Sequence, residues 1–89
     1  MDSRQTTTTT AFVAVAAEDV ETFAQQARLA LEDDDIDEAW NAVYEARVAA
    51  EVAERQMVAL VRQRGRTWES IGAAYGITKQ AAQQRWSDQ

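Results

Sequence analysis

The sequence predicts an all-α protein, and three observations predict it. There is no proline in its 89 residues. The only glycines, Gly65, Gly72 and Gly76, fall in the last twenty-five positions. Alanine, glutamate, glutamine and arginine are abundant elsewhere, and all favour helix. The expected architecture is an N-terminal antiparallel helical hairpin, with a long second helix running into a compact C-terminal pair of helices.

Residues 1–10 include the run Thr6 to Thr10. Such a tract has little to bury, so residues 1–10 are expected to be a disordered tail. A first helix is expected over about 11–32, where Val13, Ala16, Val20, Phe23, Ala27 and Ala30 recur at three- and four-residue steps. Glu18, Asp19, Glu21, Gln25 and Arg28 take the opposite face.

Carboxylates crowd residues 32–38 and would repel one another in a continuous helix. A tight turn is expected there. Asp35 and Glu38 have the spacing of an N-terminal capping box, and the neighbouring acids suit the positive end of a new helix. A calcium loop is excluded by spacing, since its ligands spread over about twelve residues with glycine at the sixth.

The second helix should run over about 37–64. Ile36, Ala39, Val43, Ala46, Ala50, Ala53, Met57 and Leu60 form a heptad seam. Alanine at half of these positions lets two backbones approach closely. Trp40, Tyr44 and Val48 lie on a neighbouring stripe, more apolar surface than a hairpin alone covers. That surplus predicts a homodimer through Trp40, Tyr44 and Val48, within a hairpin domain of residues 11–64. The monomeric alternative folds the two aromatics over the hairpin or the C-terminal helices.

Charge divides the chain. Residues 1–54 carry three basic and thirteen acidic side chains, and residues 55–89 six basic and two acidic; net −10 and +4 give the formal −6. With no cysteine and no histidine, thiol nucleophiles, disulfides, the usual zinc sites and the commonest general base are missing. No phosphate loop or metal-ligand spacing occurs. The chain is therefore read as no enzyme, with no catalytic residue, metal or cofactor. The longest apolar run, residues 11–17, is too short to span a bilayer. No signal peptide is recognised, and a cytoplasmic location without membrane contact is expected.

The most specific pattern is in residues 65–89. Gly65 stands where the second helix should stop. Thr67 is placed to cap the next helix, with Glu69 in its first turn. Gly76 can take the positive backbone angle of a sharp turn, Ile77 should plug the corner, and Thr78 should cap the last helix. Gly72 is small enough for that helix to cross close above it. Ile71, Tyr75, Ile77 and Ala82 should form the buried face, closed by Trp68 and Trp86.

The stretch Trp-Glu-Ser-Ile-Gly-Ala-Ala-Tyr-Gly-Ile-Thr-Lys-Gln-Ala-Ala-Gln-Gln-Arg-Trp resembles the helix-turn-helix of sigma factor region 4 and of small, actinobacterial-type DNA-binding regulators. The resemblance covers residues 66–86, about a quarter of the chain, and does not extend to the hairpin. One position departs from the pattern. An aliphatic residue is usual three after Ala82, where this chain has Arg85, so the last helix should seat itself through Trp86, slightly rotated.

The resemblance implies a second motif helix that enters the major groove of double-stranded DNA. Thr78, Lys79, Gln80, Gln83 and Gln84 are then the expected base contacts, with Ser87 facing outward beside them. Glutamine can bond adenine N6 and N7, and lysine can reach guanine's acceptors. The alternative for any one glutamine is a solvated helix face. Arg64, Arg66 and Arg85 are the expected phosphate contacts. The expected function is a sequence-specific transcriptional regulator. The competing expectation is an interaction module that docks on RNA polymerase or a sigma factor through the acidic hairpin.

Overall fold

The computed structural model describes residues 3–87, with side chains for residues 9–87. Four helices and no strand occur among them: α1 (Ser3–Glu32), α2 (Ile36–Gln63), α3 (Trp68–Tyr75) and α4 (Lys79–Trp86). The fold is all-α.

The acidic run folds as a turn. The Asp35 N–H donates to the Ala30 carbonyl at 2.8 Å and the Asp34 N–H to that of Leu31 at 3.1 Å. These two bonds satisfy the last carbonyls of α1. Asp34 takes φ 55 to make them, a left-handed conformation that aspartate tolerates better than most residues. Asp35 then caps α2, its side chain accepting from the Glu38 N–H at 3.1 Å. Asp37 and Glu38 lie in the first turn, where the helix dipole favours them.

α1 and α2 pack antiparallel along their length. On α1 the inward face is the expected one: Ala16, Ala27 and Ala30 are buried, and Val13, Val20 and Phe23 half-buried. On α2 the expected seam is half right. Ala39, Ala46, Ala53 and Leu60 face inward, but Ile36, Val43, Ala50 and Met57 are exposed. Their places are taken by Ala42, Ala49, Gln56 and Gln63. Ala42 is 1% exposed, so a valine or isoleucine at that place would overpack the seam.

The expected tail is also different. Residues 3–10 continue α1 rather than forming a disordered segment; residues 1 and 2 lie outside the described residues. Thr9 is buried at the seam, and the Gln63 Nε2 donates to its Oγ1 at 3.1 Å. Thr9 is thus held by the far end of α2.

α2 ends through Gly65, at φ 92. The Gly65 N–H donates to the Arg62 carbonyl and the Arg66 N–H to that of Val61, both at 3.0 Å. Thr67 caps α3 by accepting from the Ser70 N–H at 3.0 Å. Gly76, at φ 70, closes α3, and the Ile77 N–H reaches back to the Gly72 carbonyl at 2.9 Å. Thr78 caps α4 by accepting from the Ala81 N–H at 3.0 Å.

The helices α3 and α4 share a core with α2. Ile71, Ala82 and Trp86 are buried against Val58, with Val61, Trp68 and Ile77 partly buried around them. Trp86 therefore sits within this core rather than closing its end. Tyr75 lies on the rim instead of inside, its ring 4.9 Å from that of Trp86. Val58 and Val61 turn away from the α1 seam, so the pair docks on the side of α2 opposite α1.

Gly72 has a different neighbour from the one expected. A Cβ there would lie 2.8 Å from the Ile77 carbonyl oxygen and 2.9 Å from that of Thr78. The close approach is made by turn backbone, which cannot rotate aside. Gly72→Ala should therefore cost about 1–3 kcal/mol, read as a lowered thermal midpoint. An unchanged midpoint would show that the turn has slack.

Candidate nucleic-acid interface

α4 has two chemically distinct sides. Ala82, at 0% exposure, and Trp86, at 7%, fix the inner side against α2 and α3. Lys79, Gln80, Gln83 and Gln84 are all exposed on the other. Gln80 and Gln84 are one turn apart, with Gln83 beside them. These four side chains make no hydrogen bond or ion pair among the described residues. Thr78 is exposed too, but its hydroxyl oxygen already serves as the cap of α4. Ser87 follows α4 and is exposed.

This orientation follows from local chemistry. The left-handed Gly76 and the Thr78 cap set where α4 starts and how it turns away from α3. Trp86 then fixes its rotation. Seating through Trp86 is what the Arg85 departure predicts, and Arg85 accordingly lies outside the core.

The cations differ in how free they are. Arg64 and Arg66 are exposed, and the side chain of neither has an ion-pair partner among the described residues. Arg62 donates to the Arg66 carbonyl at 2.7 Å and lies over the Trp68 ring at 4.7 Å. It braces the segment between α2 and α3, a role the sequence pattern did not reveal. Arg85 pairs with Glu54 of α2 at 3.4 Å and stacks over Trp86 at 4.7 Å. Its side chain is 55% exposed, so this pair is worth no more than about 1 kcal/mol and can open. Glu54 also reaches Tyr75. Partial burial first, and the Glu54 carboxylate second, push the Tyr75 hydroxyl above its ordinary range, while Arg85 opposes them.

At the far end of α2, the three residues expected at a dimer interface are divided. Trp40, 74% exposed, and Tyr44 flank a hollow with Asp37 and Asn41. Val48 is half-buried in another hollow, with Phe23 and Val52. Arg47 lies over the Tyr44 ring at 5.4 Å and pairs with Glu51 at 2.7 Å. No helix among the described residues is long and apolar enough to cross a membrane. No group of three or more metal-ligating side chains converges among them either.

Comparison with protein-family models, with curated proteins and with solved structures finds no match.

Glu54→Gln tests the electrostatics of this corner. Removing the negative charge makes the phenolate of Tyr75 less costly, so its titration, followed by absorbance near the phenolate band, should move to lower pH. A titration that does not move would mean that burial alone sets it.

Proposed function

We propose that this chain is a sequence-specific DNA-binding transcriptional regulator that lays α4 in the major groove. The observation that carries the proposal is the outward face of α4. Three amides and an ammonium stand free on a helix whose opposite side is locked by Ala82 and Trp86. Glutamine amides can both donate and accept, which suits them to adenine edges, and Lys79 suits guanine. The likeness of residues 66–86 to sigma factor region 4 points the same way.

Lys79, Gln80 and Gln83 read bases in this proposal, with Thr78 and Gln84 beside them. Arg64 and Arg66 hold phosphates, joined by Arg85 once a phosphate displaces Glu54. The acidic hairpin is repelled by DNA and turns the basic end towards it. Phosphate contact through these three cations makes binding salt-dependent. Affinity should fall about fortyfold between 50 and 200 mM salt.

Fluorescence anisotropy with genomic fragments and with selected sites tests this. Binding is expected at about 50 mM salt, where phosphate contacts are strongest. Arg66→Ala should weaken binding to all sequences alike and lower the salt slope by about one. Gln80→Ala should instead change the preferred sequence, with about 1–3 kcal/mol of discrimination at stake. No binding at low salt would rule the proposal out. If Arg66→Ala relaxed specificity and Gln80→Ala did nothing, the roles would be wrongly assigned.

The exposure of Trp40 favours a second reading. A side chain that large and that open is a natural anchor for a protein partner. Docking on polymerase or a sigma factor through this end of the acidic hairpin would then be the main activity. A stoichiometric partner recovered from the host and retained by Lys79→Ala and Gln80→Ala variants would favour it.

A further inference from the structure

The hairpin is not finished by its own packing. The chain exposes 6493 Å², whereas a compact monomer of 9.9 kDa exposes about 5,200 Å². Its radius of gyration is 16.0 Å, against about 12 Å for a compact chain of this length. Among the described residues, no large side chain is completely buried. The surplus surface is comparable to the roughly 800 Å² that each partner buries in a standard interface.

One face gathers exposed and half-buried apolar side chains from both helices of the hairpin. Phe12 and Val15 of α1 surround a hollow with Val52 of α2. Phe23, Val48 and Val52 surround the next hollow along. Tyr44 continues the row, since residues 44, 48 and 52 follow at one-turn steps. This face crosses both helices, and α3 and α4 dock elsewhere, at Val58 and Val61.

Asp19 of α1 and Glu45 of α2 border these hollows, and on either side of them the charges along α2 are asymmetric. Asp37 and Arg55 are eighteen residues apart, which is five helical turns, so both share the side of Val48. Asp37 belongs to the acidic beginning of α2, and Arg55 opens the basic stretch that runs through Arg62, Arg64 and Arg66. A copy packed in the same direction would bring acid to acid and base to base. A copy turned end for end would bring each acidic end to a basic one.

We infer that a second copy of this chain docks on the Val48 face, end for end, with a two-fold axis across α2 between residues 46 and 48. The interface is isologous, so the same row of side chains serves both protomers. Val48 lies close to the axis, and Asp37 of each protomer lies near Arg55 of the other. Trp40, one turn before Tyr44 and in the same hollow as Tyr44 and Asp37, extends this face towards the start of α2 but lies further from the axis than Val48.

The arrangement has a consequence that rests on the DNA-binding reading. Turning the copy end for end keeps both α3–α4 pairs on the same side of the assembly. A parallel copy would send them to opposite sides. Val58 lies ten to twelve residues from the axis, so the two docking points stand about 30–36 Å apart. That is close to one turn of DNA, the spacing of two half-sites. Each protomer of the dimer would present one α4 to successive major grooves.

Sedimentation equilibrium and cysteine cross-linking test the inference without DNA. The full chain should sediment at twice 9.9 kDa, and Val48→Asp should halve that mass with helicity unchanged by circular dichroism. The chain has no cysteine, so single replacements report cleanly. Val48→Cys should form a disulfide-linked dimer on oxidation. Asp37→Cys and Arg55→Cys should cross-link when mixed, and neither should do so efficiently alone. A monomeric mass at micromolar concentration would overturn the dimer, and strong self-linking of Asp37→Cys would overturn its direction. If the dimer forms as described but sites selected from random DNA carry no repeat one turn apart, the half-site consequence fails while the dimer stands. If no DNA is bound at all, the DNA-binding reading fails and the cross-links still decide the interface.

Discussion

Trp86 fastens the C-terminal helices to the rest of the chain. Its ring lies in a small core with Val58 of α2, Ile71 of α3 and Ala82 of α4, and 7% of the residue remains exposed. A buried tryptophan of this kind contributes on the order of 3–5 kcal/mol, a large share of what a domain this size has. α3 and α4 are eight residues each, too short to persist as isolated helices. Their shape therefore depends on this contact and on the capped turn at Gly76. Because Trp86 is turned inward, Lys79, Gln80, Gln83 and Gln84 are turned outward.

The charge division has its own structural logic. Acids cluster at the turn between α1 and α2 and along α2's first half, while arginines gather at the end where α3 and α4 dock. The two groups meet at Glu54, which pairs with Arg85 and whose charge raises the titration of the Tyr75 hydroxyl. This ion pair is exposed and weak, so it holds Arg85 in place without committing it. A polyanion would compete for that guanidinium with little to overcome. Arg62, by contrast, is bonded to the Arg66 carbonyl and stacked on Trp68, which suits it to shaping the loop more than to meeting a ligand.

Much of this was legible in the sequence, and the places where it was not have physical causes. The caps at Asp35, Thr67 and Thr78 and the left-handed Gly65 and Gly76 act within one turn of chain, so residue type reveals them. The seam of α1 was legible because only one face of it is continuously apolar. The seam of α2 was not, because alanine occurs on several faces and the true seam includes Gln56 and Gln63. Those two carry no apolar signal, and Gln63 is held through its Nε2 by a hydrogen bond to Thr9, fifty-four residues away, while its buried Oε1 has no partner among the described residues. The same contact places Thr9 at the seam of a segment whose composition suggests a tail and which is helical from Ser3 on. At the candidate site, the outward residues of α4 were those the resemblance implied, whereas the Glu54–Arg85 pairing joins residues thirty-one apart and no local pattern predicts it.

Nuclear magnetic resonance with isotope-labelled protein and duplex DNA tests the central claim most directly, since it reports every backbone and glutamine side-chain amide at once. The account predicts that the resonances of Lys79, Gln80, Gln83 and Gln84 shift on titration, followed by those of Arg64 and Arg66, while Ala82 and the Trp86 indole keep their packed environment. Shifts confined to the Trp40 and Tyr44 end of α2, with the α4 amides unmoved, would contradict it.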